Sequence, residues 1–226
     1  MRFFYFGIFF SLLCSCSTAD TDSSHPYSAY FYNYDTVPKV YRYRDIIHGL
    51  NEQFHRVYGI KDSKGKHIVV ERYVQDGRLT EAFNFNVDSL NVMDHMVVNA
   101  LGENEKATLY KDEFLPKAKG TETQFISKFS GVTDSTVFLM EVNRQLSDVK
   151  MRKVQSDSLE CIKLEENAIY TLLNPFTKQE NQQKLETVAY FAKGVGLVAW
   201  YDIKKRSHFE LEEILSQEKW IKLISE

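Results

Sequence analysis

The sequence predicts a mainly β fold: a strongly curved antiparallel sheet, as a half-barrel, an open barrel or a sandwich, with a short helix at the C-terminus. Three observations predict it. From about Tyr27 onward, apolar residues recur with a period of two rather than 3.6, the spacing of half-buried strands. The runs are short and separated by Gly, Asn and Asp turn signals, as in sandwiches and barrels. Aromatic residues make up 14% of the chain, which suits pleated surfaces. With 226 residues, 43% of them hydrophobic and 26% charged, the chain can bury one sizeable core, so a single packed domain is expected.

Val37 to Ile47 is the first strand, with Tyr41 and Tyr43 on one face and Arg42 and Arg44 on the other. Gly49 and Asn51 turn the chain into Gln53 to Lys61, and Asp62-Ser63-Lys64-Gly65 turns it again into the β-branched run Lys66 to Gln75. Asp76-Gly77 is a two-residue hairpin signal. It leads into Leu79 to Val87, where Leu79, Phe83, Phe85 and Val87 share one face and Thr80, Asn84 and Asn86 the other, and these strands make a meander. Asp88 to Gly102 is compatible with a helix capped by Asp88, through Leu90, Met93, Met96, Val97, Ala100 and Leu101. Val92, Val97 and Val98 favour a strand, which is the expectation. Gly102-Glu103-Asn104 turns into Ala107 to Lys111. Gln124 to Phe129, Thr136 to Leu146, Ser158 to Leu164 and Ile169 to Leu173 read as further short strands, and Ser216 to Ser225, with Trp220, Ile221 and Ile224, as the closing helix.

The N-terminus carries the sharpest signal. Met1-Arg2 is a positive start, Phe3 through Leu13 an apolar run of eleven residues rich in Phe, and small and sulfur residues follow, the layout of a secretory signal. The run is too short to span a bilayer, which takes roughly 20 residues. Leu13-Cys14-Ser15-Cys16 resembles a lipobox, the site at which bacterial signal peptidase II cuts before a cysteine that becomes lipid-modified. The resemblance implies removal of residues 1–15 and lipidation of Cys16; Cys14 fits worse as the acceptor because bulky Leu13 would stand at the cut. Each buried CH₂ of an acyl chain adds about 0.8 kcal/mol, so several chains hold a protein on the membrane almost permanently. Residues 16–27 are polar and aperiodic and read as a flexible tether, with the single β-rich domain at 28–226. Ser17 after the cysteine, rather than Asp, resembles lipoproteins sent to the outer membrane, and Asp20 and Asp22 resemble the acidic segment of surface-exposed ones. The periplasmic and cell-surface sides both stay open.

Near the other end, Tyr190-Phe-Ala-Lys-Gly-Val-Gly-Leu-Val-Ala-Trp200, flanked by the strand around Cys161 and by Phe209-Glu-Leu-Glu, resembles the tail of uncharacterised bacterial envelope lipoproteins. In those proteins an Ala-Lys-Gly-Val-Gly-Leu-Val segment joins two strands of an open, strongly curved sheet. The resemblance covers the last third of the chain. It implies a half-barrel distantly similar to periplasmic lipoprotein carriers and transfers no active residue. The residues agree: Gly194 and Gly196 between apolar runs permit positive φ or a bulge and let the strand bend, whereas a phosphate-cradling loop would want a third glycine and a following helix.

No catalytic constellation stands out, and neither a cofactor nor a metal is implied. The sequence lacks Gly-x-Ser-x-Gly and His-Glu-x-x-His, and has no Cys-x-x-Cys beyond Cys16. Cys161 reads as a buried strand cysteine. His55 and His67 sit on neighbouring predicted strands as a zinc pair could, but without a third ligand they read as paired surface histidines. Asp94 and His95 are adjacent on a strand and point to opposite faces. Glu165, Glu166, Glu210, Glu212 and Glu213 read as solvated faces and turns. Without Arg2 the chain has 27 basic and 31 acidic residues, which argues against nucleic acid as a partner. Beyond the membrane reached through the lipid anchor, two partners remain. A hydrophobic ligand or peptide would lie on a concave face lined by Tyr41, Tyr43, Phe83 and Phe85. Alternatively, the domain is a structural module of an envelope assembly, meeting a partner through strand edges and aromatics.

Overall fold

The computed structural model describes residues 24–225 except 50, 100, 101, 132–134 and 205; the signal region 1–15 and Cys16 lie outside the described residues. Among those described, two meanders build one antiparallel sheet. The first comprises β1 (Lys39–Asp45), β2 (Glu52–Asp62), β3 (Gly65–Val74), β4 (Leu79–Asn86), β5 (Val92–Val98) and β6 (Asn104–Lys106). The second comprises β7 (Thr108–Asp112), β8 (Glu122–Ser130), β9 (Val137–Val154), β10 (Asp157–Asn174), β11 (Gln179–Ala192), β12 (Gly196–Asp202) and β13 (His208–Ser216), followed by helix α1 (Gln217–Ser225). Pairing of β1 with β13 joins the meanders at the centre of the sheet, leaving β6 and β7 as its edges.

Those edges are separated in the chain by Ala107 alone. One continuous stretch pairs first with β5 and then with β8, so the covalent chain bridges the seam of a nearly closed barrel. Ala107 N–H donates to His95 O at 2.8 Å, and Glu105 Oε1 accepts from both the backbone N–H and the hydroxyl of Ser130 at 2.9 Å. Closure in this way leaves little free edge for a further strand.

The regular element in the described part of the ambiguous stretch 88–102 is a strand, β5 (Val92–Val98), whose Val92 and Val97 are buried. Leu79–Asn86 keeps the expected alternation, with Phe83 and Phe85 inside. The hairpin before it holds three residues, Gln75 to Gly77, rather than two: Val74 N–H donates to Arg78 O and Gly77 N–H to Val74 O. The runs Ser158 to Leu164 and Ile169 to Leu173 are one 18-residue strand, β10, which pairs throughout with the equally long β9. Polar Glu165-Glu166-Asn167 hid this continuity. The first half of β11, Gln179 to Lys184, is exposed on both faces and so carries no alternation; its pairing with β10 alone holds it in the sheet.

Helix α1 lies on the outer face, as its buried Trp220 requires. The indole packs edge-on to Tyr73 at 4.8 Å and tilted against Phe54 at 6.3 Å, making a second small core with Val40 and Leu215. No helix among the described residues is long and apolar enough to cross a membrane.

One end of the barrel is closed by the chain's own N-terminal segment. His25 is buried, its N–H donates to Asp88 O and its Nε2 meets Leu115 O at 3.0 Å. The packed body therefore begins inside the stretch expected to be tether. Phe31 lies edge-on to Phe85 and Phe114 and stacks on Phe191, at centroid separations of 4.9, 5.6 and 6.2 Å. Tyr32 and Tyr34 use two glycines as seats. A Cβ on Gly59 would lie 2.7 Å from the Tyr34 ring, and one on Gly196 would overlap the Tyr32 ring. Gly194 and Gly196 form the β11–β12 turn with φ of +77° and +100°, and Gly194 is bonded to Ala29 O and Asn33. The Ala192-to-Val198 segment thus bends the sheet and receives the plug at one point.

Candidate functional site

At the end opposite the plug, marked by Gln53, Thr80, Val98 and Leu185, the interior is hollow. The cavity measures ≈ 370 Å³, within the range of about 300–1,000 Å³ typical of small-molecule sites. Phe83, Phe129, Met140, Leu185 and Trp200 supply much of its apolar wall.

Four charged residues stand on the same wall, each in phase with an apolar alternation. Arg72 follows Ile68 and Val70 on β3, Glu81 precedes Phe83 and Phe85 on β4, Arg144 follows Met140 and Val142 on β9, and Glu166 lies between Leu164 and Ala168 on β10. Arg72 Nη1 donates to Glu81 Oε1 at 2.7 Å, and its guanidinium lies 5.0 Å over the Phe83 ring. Arg144 Nε donates to Glu166 Oε1 at 2.6 Å, with its guanidinium 4.3 Å over Phe114. Because a carboxylate only accepts, His95 Nε2 donates to Glu81 Oε2 at 3.2 Å, and its Nδ1 meets the Ser127 hydroxyl at 3.0 Å. Thr187 donates to Glu166 Oε2 at 3.1 Å. Tyr170 lines the same cavity as all four charges, so the two ion pairs share one hollow with it.

Beneath this cluster runs a directed hydrogen-bond chain. Tyr43 donates to Leu197 O at 2.9 Å, so its oxygen accepts from Tyr32 at 3.2 Å. The Tyr32 oxygen is then left to accept from His55 Nδ1 at 3.2 Å. Burial holds His55 well below its ordinary value and raises both tyrosines, so the chain is neutral and links the plug to the cavity floor, where His55 stacks on Trp200 at 5.6 Å.

Burial opposes ionisation of Glu81, but the Arg72 guanidinium and the His95 bond outweigh it and hold the carboxyl at about 2, against an ordinary 4.5. A depressed folded-state value stabilises the fold above the unfolded value and loses that stabilisation as pH falls. Glu81→Gln is therefore expected to cost about 1–2 kcal/mol at pH 7 and to converge with the unaltered protein as pH falls from about 4.5 to about 2. Urea denaturation across that window checks it; a constant difference would remove Glu81 from the cause.

Of the four aromatics expected to line a concave face, only Phe83 lines the cavity. Tyr41, Tyr43 and Phe85 are buried in the filled half, against Tyr32 and Phe31. His55 and His67 are buried rather than superficial. His55 pairs across the ladder with Arg72 and His67 with Ile60, five positions away on β2, and His67 bonds Asp62 instead. Among the described residues no group of three or more His, Cys, Asp or Glu is arranged to hold a metal. Asp94 faces out, toward Lys106, while His95 faces in, stacked 4.3 Å from Phe83. Cys161 is fully buried, which raises its thiol. Glu165 bonds Lys163 outside, whereas Glu166 enters the cavity, because successive strand residues alternate faces. Sequence reading missed Arg72, Glu81 and Arg144 and took Glu166 for a solvated face, which the structure corrects; a charge in phase with an apolar alternation was the available signal.

Fold and site together define a class: an antiparallel near-barrel, plugged at one end by its own N-terminal segment and hollow at the other, with paired charges in the hollow. No protein-family profile and no curated protein matches the chain. Among solved structures it is similar to a candidate lipoprotein of Parabacteroides distasonis, at 12% identity and TM-score 0.49. It is also similar to a candidate exported protein with a YmcC-like fold from Bacteroides fragilis, at 13% identity and TM-score 0.42. Each alignment covers 82% of this chain and 98% of the other.

Proposed function

We propose that this is a lipid-anchored, non-catalytic protein of the bacterial cell envelope that holds a hydrophobic ligand or apolar peptide segment in the open half of its barrel. The observation that carries the reading is the ≈ 370 Å³ cavity in a barrel whose other half is filled. A barrel of this kind needs no hollow for stability, since filling one adds packing energy. In this reading residues 1–15 are removed on export, Cys16 carries the acyl chains at the outer membrane, and the stretch up to Ser24 is the tether. Because His25 is packed at the plugged end, the mouth lies at the opposite end from the attachment point.

A second reading, a module of an envelope assembly, has one observation in its favour. Phe176, at the tip of the β10–β11 hairpin, is 81% exposed, an exposed aromatic of the sort that meets a partner. Native mass spectrometry of the protein extracted from its host in mild detergent separates the two. A stoichiometric small molecule or peptide is expected; only folded protein partners would favour the module, and neither would remove the ligand-binding reading.

A further inference from the structure

We infer that the cavity selects a single-chain amphiphile with an anionic, oxygen-bearing head, a carboxylate or a phosphate, which Arg72 and Arg144 hold together. The inference rests on the ligand-binding reading above and names the ligand's class.

The hydrogen-bond inventory of the wall is lopsided. Both oxygens of Glu81 are occupied, by Arg72 and His95, and both oxygens of Glu166, by Arg144 and Thr187. Each guanidinium carries five N–H donors, yet among the described residues Arg72 makes one hydrogen bond and Arg144 makes one. Arg72 Nε and Arg144 Nη1 are buried without a partner among the described residues, and the Arg144 residue as a whole is only 7% exposed. Buried polar groups are rarely left unbonded, and those that are point to a missing partner. The wall's buried unpartnered atoms are these two guanidinium nitrogens and one acceptor, His55 Nε2 at the floor, so the surplus is mainly of guanidinium donors. Acceptors satisfy them, and planar or tetrahedral oxyanions match the guanidinium fork best. A cationic head would meet two guanidinium charges, while each carboxylate already accepts a bond at both oxygens.

The remaining wall sets the rest of the molecule. Phe129, Met140 and Leu185 offer an apolar path beside the charges, and a volume near the lower end of the small-molecule range suits one chain rather than two. Neither ion pair need break, since each guanidinium keeps its carboxylate while its other N–H groups turn to the ligand. The acidic partners also keep both arginines fixed in the empty protein, which lessens the ordering cost of binding.

The test compares four probes of equal chain length on the purified full-length protein, by calorimetry below their micellisation concentrations: dodecanoate, dodecyl phosphate, dodecan-1-ol and dodecylammonium. Both anions are expected to bind at least tenfold more tightly than the alcohol, and whichever anion is tighter identifies the head. In the paired variant Arg144→Met with Glu166→Met, which leaves no lone charge, the anion-to-alcohol ratio is expected to fall toward one. Alcohol binding as tight as that of the anions, an ammonium preference, or an unchanged ratio in the paired variant would each overturn the inference while leaving a ligand-binding cavity. Failure of all four probes would instead remove the binding reading itself.

Discussion

Phe31→Ala is expected to destabilise the protein by about 4 kcal/mol, the cost of emptying a large aromatic site in a packed core, and to lower Tm by roughly 10 °C. Phe31 is 1% exposed and touches rings from β4, from the β7–β8 connection and from β11, so its loss opens a void shared by both meanders. It also belongs to the plug, whose neighbour Tyr32 begins the hydrogen-bond chain to the cavity floor. Thermal and urea denaturation measure the effect. A loss below 1 kcal/mol would mean that residues 25–35 dock loosely and that the barrel is closed at this end by something else.

Arg144→Met is expected to cost about 3 kcal/mol, because removing one partner leaves Glu166, four-fifths shielded from solvent, with Thr187 as its remaining bond. Adding Glu166→Met should return stability to within about 1 kcal/mol of the starting protein, since two matched apolar side chains replace a buried pair at little net cost. Urea denaturation of the single and double variants forms the cycle. Equal losses in both would show that the pair holds the fold through shape alone. Recovery in the double variant would establish an intact fold for the binding comparison.

The meander β1 to β4 was legible because each of its signals is local. Alternation places Tyr41 and Tyr43 opposite Arg42 and Arg44, and the outer arginines do pair with Glu52, Glu212 and Glu213. Three strands were misjudged for one physical reason. The continuity of β10, the first half of β11 and the full length of β9 rest on pairing with neighbours, and a strand exposed on both faces needs no apolar alternation. The plug, residues 25–35, escaped notice because its first three residues read as tether and no local pattern shows that the rest packs into a barrel end.

Strand periodicity, turn residues and the N-terminal signal are properties of short segments, and short segments determined the β class, the closing helix and the expectation of export. Tertiary structure alone decided that the sheet closes through Ala107, that its lower half is filled from the N-terminus, and that two ion pairs share one hollow. Arg72 and Glu81 face each other across one hairpin, and Arg144 and Glu166 across another. Their sharing one cavity with Tyr170 depends on the β1–β13 junction and the seam between β6 and β7. Contacts of that kind depend on closing long loops, and no local pattern of residues encodes which interior charge will meet which.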